Sequence, residues 1–156
     1  MKNYIDKSTR EIYAYESDGS QDAFIKEGLV PISDEDLAAM IAPTTEQLLS
    51  QLSAARKEQE RQGVTINGIR YAGDPGNRQA LQEAIALMDD AGLTEFESWK
   101  DSDNIFHANH PLADVRDAYR AIGARRSQLI AAEGEYAAQI IAGTLTDLTE
   151  TEVVWP

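Results

Sequence analysis

The stretch Val64-Thr65-Ile66-Asn67-Gly68-Ile69-Arg70-Tyr71 leaves the backbone fewer choices than any other part of this chain. Asn-Gly between two alternating runs specifies a two-residue type I′ hairpin, because both central residues need positive φ. The alternation puts Val64, Ile66, Ile69 and Tyr71 on one side of the ribbon. A two-stranded ribbon is marginal alone in water, so that apolar side needs other elements to cover it.

The flanking sequence supplies helices. Asp74-Pro75 starts one, with Asp as N-cap and Pro at the first helical position. Leu81, Ala84, Ile85 and Met88 form its buried stripe, and Gly92 stops it. Phe96 to Phe106 reads as another hairpin, with Phe96, Trp99, Ile105 and Phe106 as its large residues and Lys100-Asp101-Ser102-Asp103-Asn104 as its turn. Pro111 opens a long helix. Leu112, Val115, Tyr119 and Ile122, then Leu129, Tyr136 and Ile140, recur at helical spacing. Such a helix of about 30 residues is about 45 Å long. Gly123 and Gly134 weaken it and allow a kink or a break, and Gly143 closes it. The tail ends in Glu152-Val153-Val154-Trp155-Pro156, a candidate strand.

The N-terminal part is smaller. Asn3-Tyr4-Ile5 and Glu11 to Tyr15 are strand-prone, and Asp6-Lys7-Ser8-Thr9 joins them into a hairpin. Ser17-Asp18-Gly19-Ser20 is a second turn. After Pro31, Ser33 caps a short helix with Asp36 three residues on, a variant of the capping box. Leu37, Met40 and Ile41 form its apolar patch, and Pro43 ends it. Thr44 or Thr45 caps the next helix, in which Leu48, Leu49, Leu52 and Ala55 share a face. From Arg56 to Gln62 that face disappears. A helix polar all round is expected to bridge packed units. The expected layout is α+β: a hairpin and short helix over 1–43, a connecting helix over 44–62, and an α+β domain over 63–156.

Composition narrows the function. The 156 residues include no cysteine, which excludes disulfides, thiolate nucleophiles and cysteine-based metal sites. A net charge of −13, spread along the whole chain, repels a phosphate backbone and argues against nucleic-acid binding. The N-terminus MKNYIDKSTREIYAYES shows no apolar core of a secretory leader, and no apolar run approaches a membrane span. Synthesis and residence in the cytoplasm are expected.

Catalytic signals are sparse. A nucleophilic site would need Ser, Thr or Lys beside a base, and the only histidines are His107 and His110. His107-Ala108-Asn109-His110 has metal-ligand spacing only on a helix. It stands just before Pro111, where the expected reading is a capping loop: Asn109 or His110 caps the helix and His107 ends a strand. The glycines of Gly73-Asp74-Pro75-Gly76 match no phosphate-binding fingerprint. Asp89-Asp90 and Asp34-Glu35-Asp36 look exposed, without the burial that tunes a catalytic carboxylate. These readings predict a non-enzyme that needs no cofactor and no metal and works by binding another protein. Tyr4, Tyr13 and Tyr15 cluster in the first hairpin, as a small core or a binding surface. Trp155 is either a packing anchor or a contact.

Two segments carry a resemblance. Met1-Lys2-Asn3-Tyr4, then Ala14-Tyr15-Glu16-Ser17-Asp18-Gly19-Ser20-Gln21-Asp22-Ala23-Phe24-Ile25-Lys26, then Leu29-Val30-Pro31-Ile32-Ser33, resembles the N-terminal region of tail-fibre assembly proteins of tailed phages and prophages. Gly63 to Tyr71, Arg78-Gln79-Ala80 and the Phe96–Trp99 hairpin are similar to a phage domain of unknown function that commonly follows such an N-terminus. The resemblance implies a chaperone or fibre-bound accessory protein that binds a phage tail-fibre protein, chiefly its C-terminal part. It acts in the host cytoplasm during assembly, with retention on the virion as a further option. Tyr4, Tyr13, Tyr15, Phe24, Ile25 and Trp155 are the candidate partner-binding residues. β-addition at an open sheet edge is a ready docking mode. The alternative is a structural tail-tip or baseplate component that forms a homo-oligomer through the long helix. Arg126 and Glu133 fall in that helix's seam and argue against a simple coiled coil.

Overall fold

The computed structural model describes residues 1–148 and 153–156. The protein is α+β, and its chain forms two units, Met1–Pro43 and Thr44–Pro156.

In the first unit, β1 (Lys2–Asp6) and β2 (Ile12–Tyr15) form the expected hairpin. Asp6 orders its turn by accepting the Ser8 amide at 2.8 Å and the Ser8 hydroxyl at 2.6 Å, and these bonds hold its carboxyl below the usual carboxylate range. A third strand, β3 (Leu29–Ile32), was not expected; it pairs antiparallel with β1 to give the order β2-β1-β3. Pro31 hides this strand in the sequence, since proline suits only an edge, and an edge is where β3 lies. The crossing segment contains a single 3-10 turn, Asp22–Phe24. α1 (Asp34–Ile41) begins as expected, with Ser33 Oγ accepting the Asp36 amide at 3.0 Å. Its patch is hardly used: Leu37 is half-buried, while Met40 and Ile41 are exposed. No residue of 1–43 is buried.

The second unit is built on one helix, α4 (Leu112–Ala142), 31 residues long and unbroken at Gly123 and Gly134. Two cores form along it. Near its start, the hairpin of β4 (Val64–Ile66) and β5 (Ile69–Tyr71) joins α3 (Pro75–Ala91) and the hairpin of β6 (Glu95–Lys100) and β7 (Phe106–Pro111). Tyr71, Leu81, Val115, Ala118 and Ile122 are buried there, with Val64, Ile66, Ile69, Phe96 and Trp99 packed around them. Asn67 and Gly68 both have positive φ, 50° and 81°, as the type I′ turn requires. Near the end of α4, α2 (Thr45–Gln62) packs through Leu48 and Leu52 against Ile140, Leu145 and Val153. Thr44 and Gln47 form the capping box that starts α2.

The helix expected to connect two units is therefore part of the second one. Its partners on α4 descend in number as its own rise, so the two helices are antiparallel. The polar half, Arg56 to Gln62, lies against the middle of α4 between the two cores. Glu60 is 8% exposed and meets Arg56, Arg78 at 3.4 Å and Arg126 at 3.4 Å. Arg56 also contacts Glu133 at 2.6 Å. One face of this polar half, carrying Arg56 and Glu60, is thus packed into a layer of paired charge, while Lys57, Glu58, Arg61 and Gln62 stay exposed.

The strand expected at the C-terminus is absent from residues 153–156, and Glu152 lies outside the described residues.

Candidate functional site

The N-terminal sheet has two unlike sides. Register puts Lys2, Tyr4, Tyr13, Tyr15, Leu29 and Pro31 on one, and Asn3, Ile5, Ile12, Ala14, Val30 and Ile32 on the other. Tyr4 lies directly opposite Tyr13, and its ring meets that of Tyr15 edge-on at 5.6 Å and 84°. Such edge-to-face pairs contribute about 0.5–1.5 kcal/mol beyond their buried area. The crossing segment is tied to this side by charge. Lys2 pairs with Asp22 at 2.8 Å, and Lys26 stands 4.4 Å over the Tyr13 ring. The Tyr13 hydroxyl donates to Glu11 Oε2 at 2.7 Å, and that acceptor raises its pKa above the ordinary tyrosine value.

The structure thus gathers Tyr4, Tyr13 and Tyr15 into one half-buried group, with Ile25 half-buried in the crossing segment. Phe24 stands out of it, 74% exposed. The opposite side carries Ile12 and Val30, both large and exposed. Trp155 belongs to the second unit. Its ring meets Tyr136 edge-on at 6.0 Å, and the Tyr136 hydroxyl accepts the Val154 amide at 2.9 Å and donates to the Val154 carbonyl at 3.1 Å. Of the two roles open to Trp155, this geometry is that of a packing anchor.

The histidines are placed differently from the expected capping loop. β7 runs through both of them to Pro111, and Pro111 takes the N-cap position with no side-chain cap. His110, 2% exposed, shares a 2.6 Å hydrogen bond with the Tyr71 hydroxyl and stacks on Trp99 at 5.5 Å. Burial lowers the His110 pKa and, reinforced by Asp114 and Asp101, pushes Tyr71 up to about 12. Both groups are therefore neutral near pH 7 and hold each other in the core. His107 instead bonds Asp101 Oδ2 at 2.7 Å. That bond, with the amides of Ile105 and Asp103, keeps the Asp101 carboxyl below its usual range. The reason is register: His110 opposes Phe96 and His107 opposes Trp99, so strand pairing continues to the helix. Among the described residues no group of three or more His, Asp or Glu could hold a metal.

Two features were not anticipated. One is the arginine cluster on Glu60, whose only sequence trace is the Arg56-to-Glu60 spacing of four. The other is an open groove of about 860 Å³ between α3 and α4, lined by Arg78, Gln82, Tyr119, Arg120 and Arg126 among others. Its arginines are engaged: Arg78 and Arg126 with Glu60, and Arg120 with Asp117 at 3.1 Å. No described helix is long and apolar enough to cross a membrane.

No curated protein and no solved structure matches the chain. A family match covers residues 43–154, which coincides with the second unit and leaves the tyrosine-bearing sheet outside it. By that match the chain belongs to the family described as a domain of unknown function, DUF4376.

Proposed function

We propose that this protein is a phage tail-fibre assembly chaperone or fibre-bound accessory protein, acting by binding and not by catalysis. The observation that carries the reading is the state of residues 1–43: a folded three-stranded sheet with no buried residue. Met1, Ile12, Phe24, Val30, Met40 and Ile41 are all exposed there. A small sheet gains independent stability by covering an apolar side, and contiguous exposed apolar surface marks an interaction site. The same residues contain the run from Ala14 to Lys26 that resembles fibre-assembly proteins. The partner is the fibre chain, chiefly its C-terminal part, met in the host cytoplasm while fibres are assembled.

The tail-tip or baseplate alternative draws less support. Arg126 and Glu133, which interrupt the seam of α4, are paired within the unit to Glu60 and Arg56. The stripe Leu112, Val115, Ala118, Ile122, Leu129 and Ile140 is buried.

The test is co-expression with the neighbouring fibre gene. The yield of soluble fibre trimer rises with the wild-type chain and falls back with Phe24→Ser and Tyr15→Ser together. The circular dichroism of the second unit stays unchanged. An equal trimer yield with and without this protein rejects the reading.

A further inference from the structure

Asn67-Gly68 is the one Asn-Gly pair in the chain, and Asp18-Gly19 the one Asp-Gly pair. Asparagine is among the chemically labile side chains, because its Cγ and the next backbone nitrogen can close a small cyclic imide. A following glycine permits the closure, having no Cβ to obstruct the approach. Asn3, Asn77, Asn104 and Asn109 are instead followed by Tyr4, Arg78, Ile105 and His110. Asp18 is disfavoured for another reason. Its carboxylate accepts the Ser20 amide at 2.9 Å and the Ser20 hydroxyl at 2.7 Å, bonds that hold its carboxyl below the usual carboxylate range. An ionised carboxylate is a poor electrophile.

The structure leaves the Asn67-Gly68 turn accessible and gives the Asn67 side chain one charged neighbour. Both residues are exposed. Beyond the chain neighbours of Gly68, no atom lies within 4 Å of the place a Cβ would take. The Gly68 amide belongs to neither strand and donates to no group among the described residues. Asn67 Nδ2 donates to Asp114 Oδ2 at 3.1 Å. Asp114 lies in the first turn of α4, next to Val115, which is buried in the core that Val64, Ile66 and Ile69 of the hairpin pack around. This side-chain amide therefore ties the tip of the hairpin to the start of the helix.

We infer that Asn67 is a site of spontaneous deamidation, and that its conversion to a carboxylate sets it against the Asp114 carboxylate and loosens the β4–β5 hairpin from α4. The Gly68 amide nitrogen gives up its proton and attacks Asn67 Cγ. A C–N bond forms, the Cγ–Nδ2 bond breaks, and Nδ2 leaves as ammonia with that proton. Water then opens the imide, giving its hydroxyl to one carbonyl carbon and its hydrogen to the ring nitrogen. Opening at one carbonyl yields aspartate, and at the other isoaspartate. Ring closure needs rotation of the Asn67 backbone, which local opening of the three-residue strands on either side allows. Either product places an anion where an N–H met Asp114, and like charges at that distance repel. Aspartate suits the turn itself, since Asp-Gly forms type I′ hairpins as Asn-Gly does. The loss therefore comes from Asp114 and not from the turn.

The test incubates the full chain at mildly alkaline pH and reads its peptides by mass spectrometry. A gain of about 1 Da is expected in the peptide that holds Asn67, faster as pH rises because the attacking amide must lose its proton. A folded chain whose Asn67 stays intact, while a synthetic peptide of residues 62–73 converts, overturns the inference. Urea unfolding tests the consequence. Asn67→Asp lowers the midpoint further than Asn67→Gly, which loses the same bond without adding charge. Adding Asp114→Asn to Asn67→Asp recovers the difference, and added salt narrows it. Equal midpoints for Asn67→Asp and Asn67→Gly overturn the assigned role of Asp114.

Discussion

The two units of this chain hold themselves together in different ways. Residues 1–43 rely on backbone ladders, a capped helix and exposed ion pairs such as Lys2–Asp22, with side chains at most half-buried. Residues 44–156 enclose two apolar cores and a layer of charge between them. Burial is the main favourable term in folding, so the second unit is self-sufficient and the first is the less stable. The family match follows the same line, covering the unit with the cores. The less stable unit is the one suited to change its surroundings, because docking can supply what its own core lacks.

The contrast can be broken most severely at Glu60. Glu60→Ala leaves Arg56, Arg78 and Arg126 gathered without their shared carboxylate; with Arg126 half exposed and Arg56 still paired to Glu133, the loss falls at the low end of what breaking a buried pair costs, about 3 kcal/mol. Urea unfolding followed by circular dichroism reads this directly. Next in size is Leu52→Ala, at a residue 1% exposed. Truncation of a buried leucine lowers unfolding free energy by about 2–5 kcal/mol. The matching Ile12→Ala change in the first unit costs less, about 1–1.5 kcal/mol, since its side chain is 39% exposed and leaves no enclosed cavity. Equal losses at the two sites would erase the distinction drawn here.

A smaller effect depends on pH. The His110 pKa is lowered by burial, so the unfolded chain binds a proton more readily than the folded one. That contribution is fully present above the unfolded value of about 6.5 and is lost as pH falls through the lower folded value. The gap in stability between wild type and His110→Asn therefore narrows as pH falls below about 6.5. A gap constant from pH 7.5 to about 5 would show that His110 does not titrate with unfolding. The smallest expected change is Ser33→Ala, which removes the cap of α1 and costs about 1 kcal/mol. Hydrogen exchange should register it in residues 34–41 alone, leaving α2 untouched.

Local chemistry was the legible part of this fold. Asn67-Gly68, Asp74-Pro75, Ser33 with Asp36, and the pair Thr44-Thr45, either of which could cap α2, each announce a turn or a helix start from a few adjacent residues. The structure places all four as expected. What escaped depends on partners distant in sequence. Pro31 argues against a strand until β3 is known to lie at an edge. Arg56 and Glu60 read as solvated until Glu133 and Arg126 are brought beside them. His110 reads as a cap until Tyr71, 39 residues earlier, supplies its hydrogen bond. The tyrosine group was visible as a cluster of residues, but which of its neighbours stay open to solvent follows only from the third strand and the crossing segment.

The charge layer midway along α4 also acts as insulation. The core around Leu81 and the core around Leu52 share a backbone but few side chains, so either can be repacked without disturbing the other. Glu60 and its arginines fix the alignment of α2 on α4, and with it the distance between the two cores. Sequence change within this unit is therefore free to proceed separately at its two ends, on the condition that the ionic layer between them is kept.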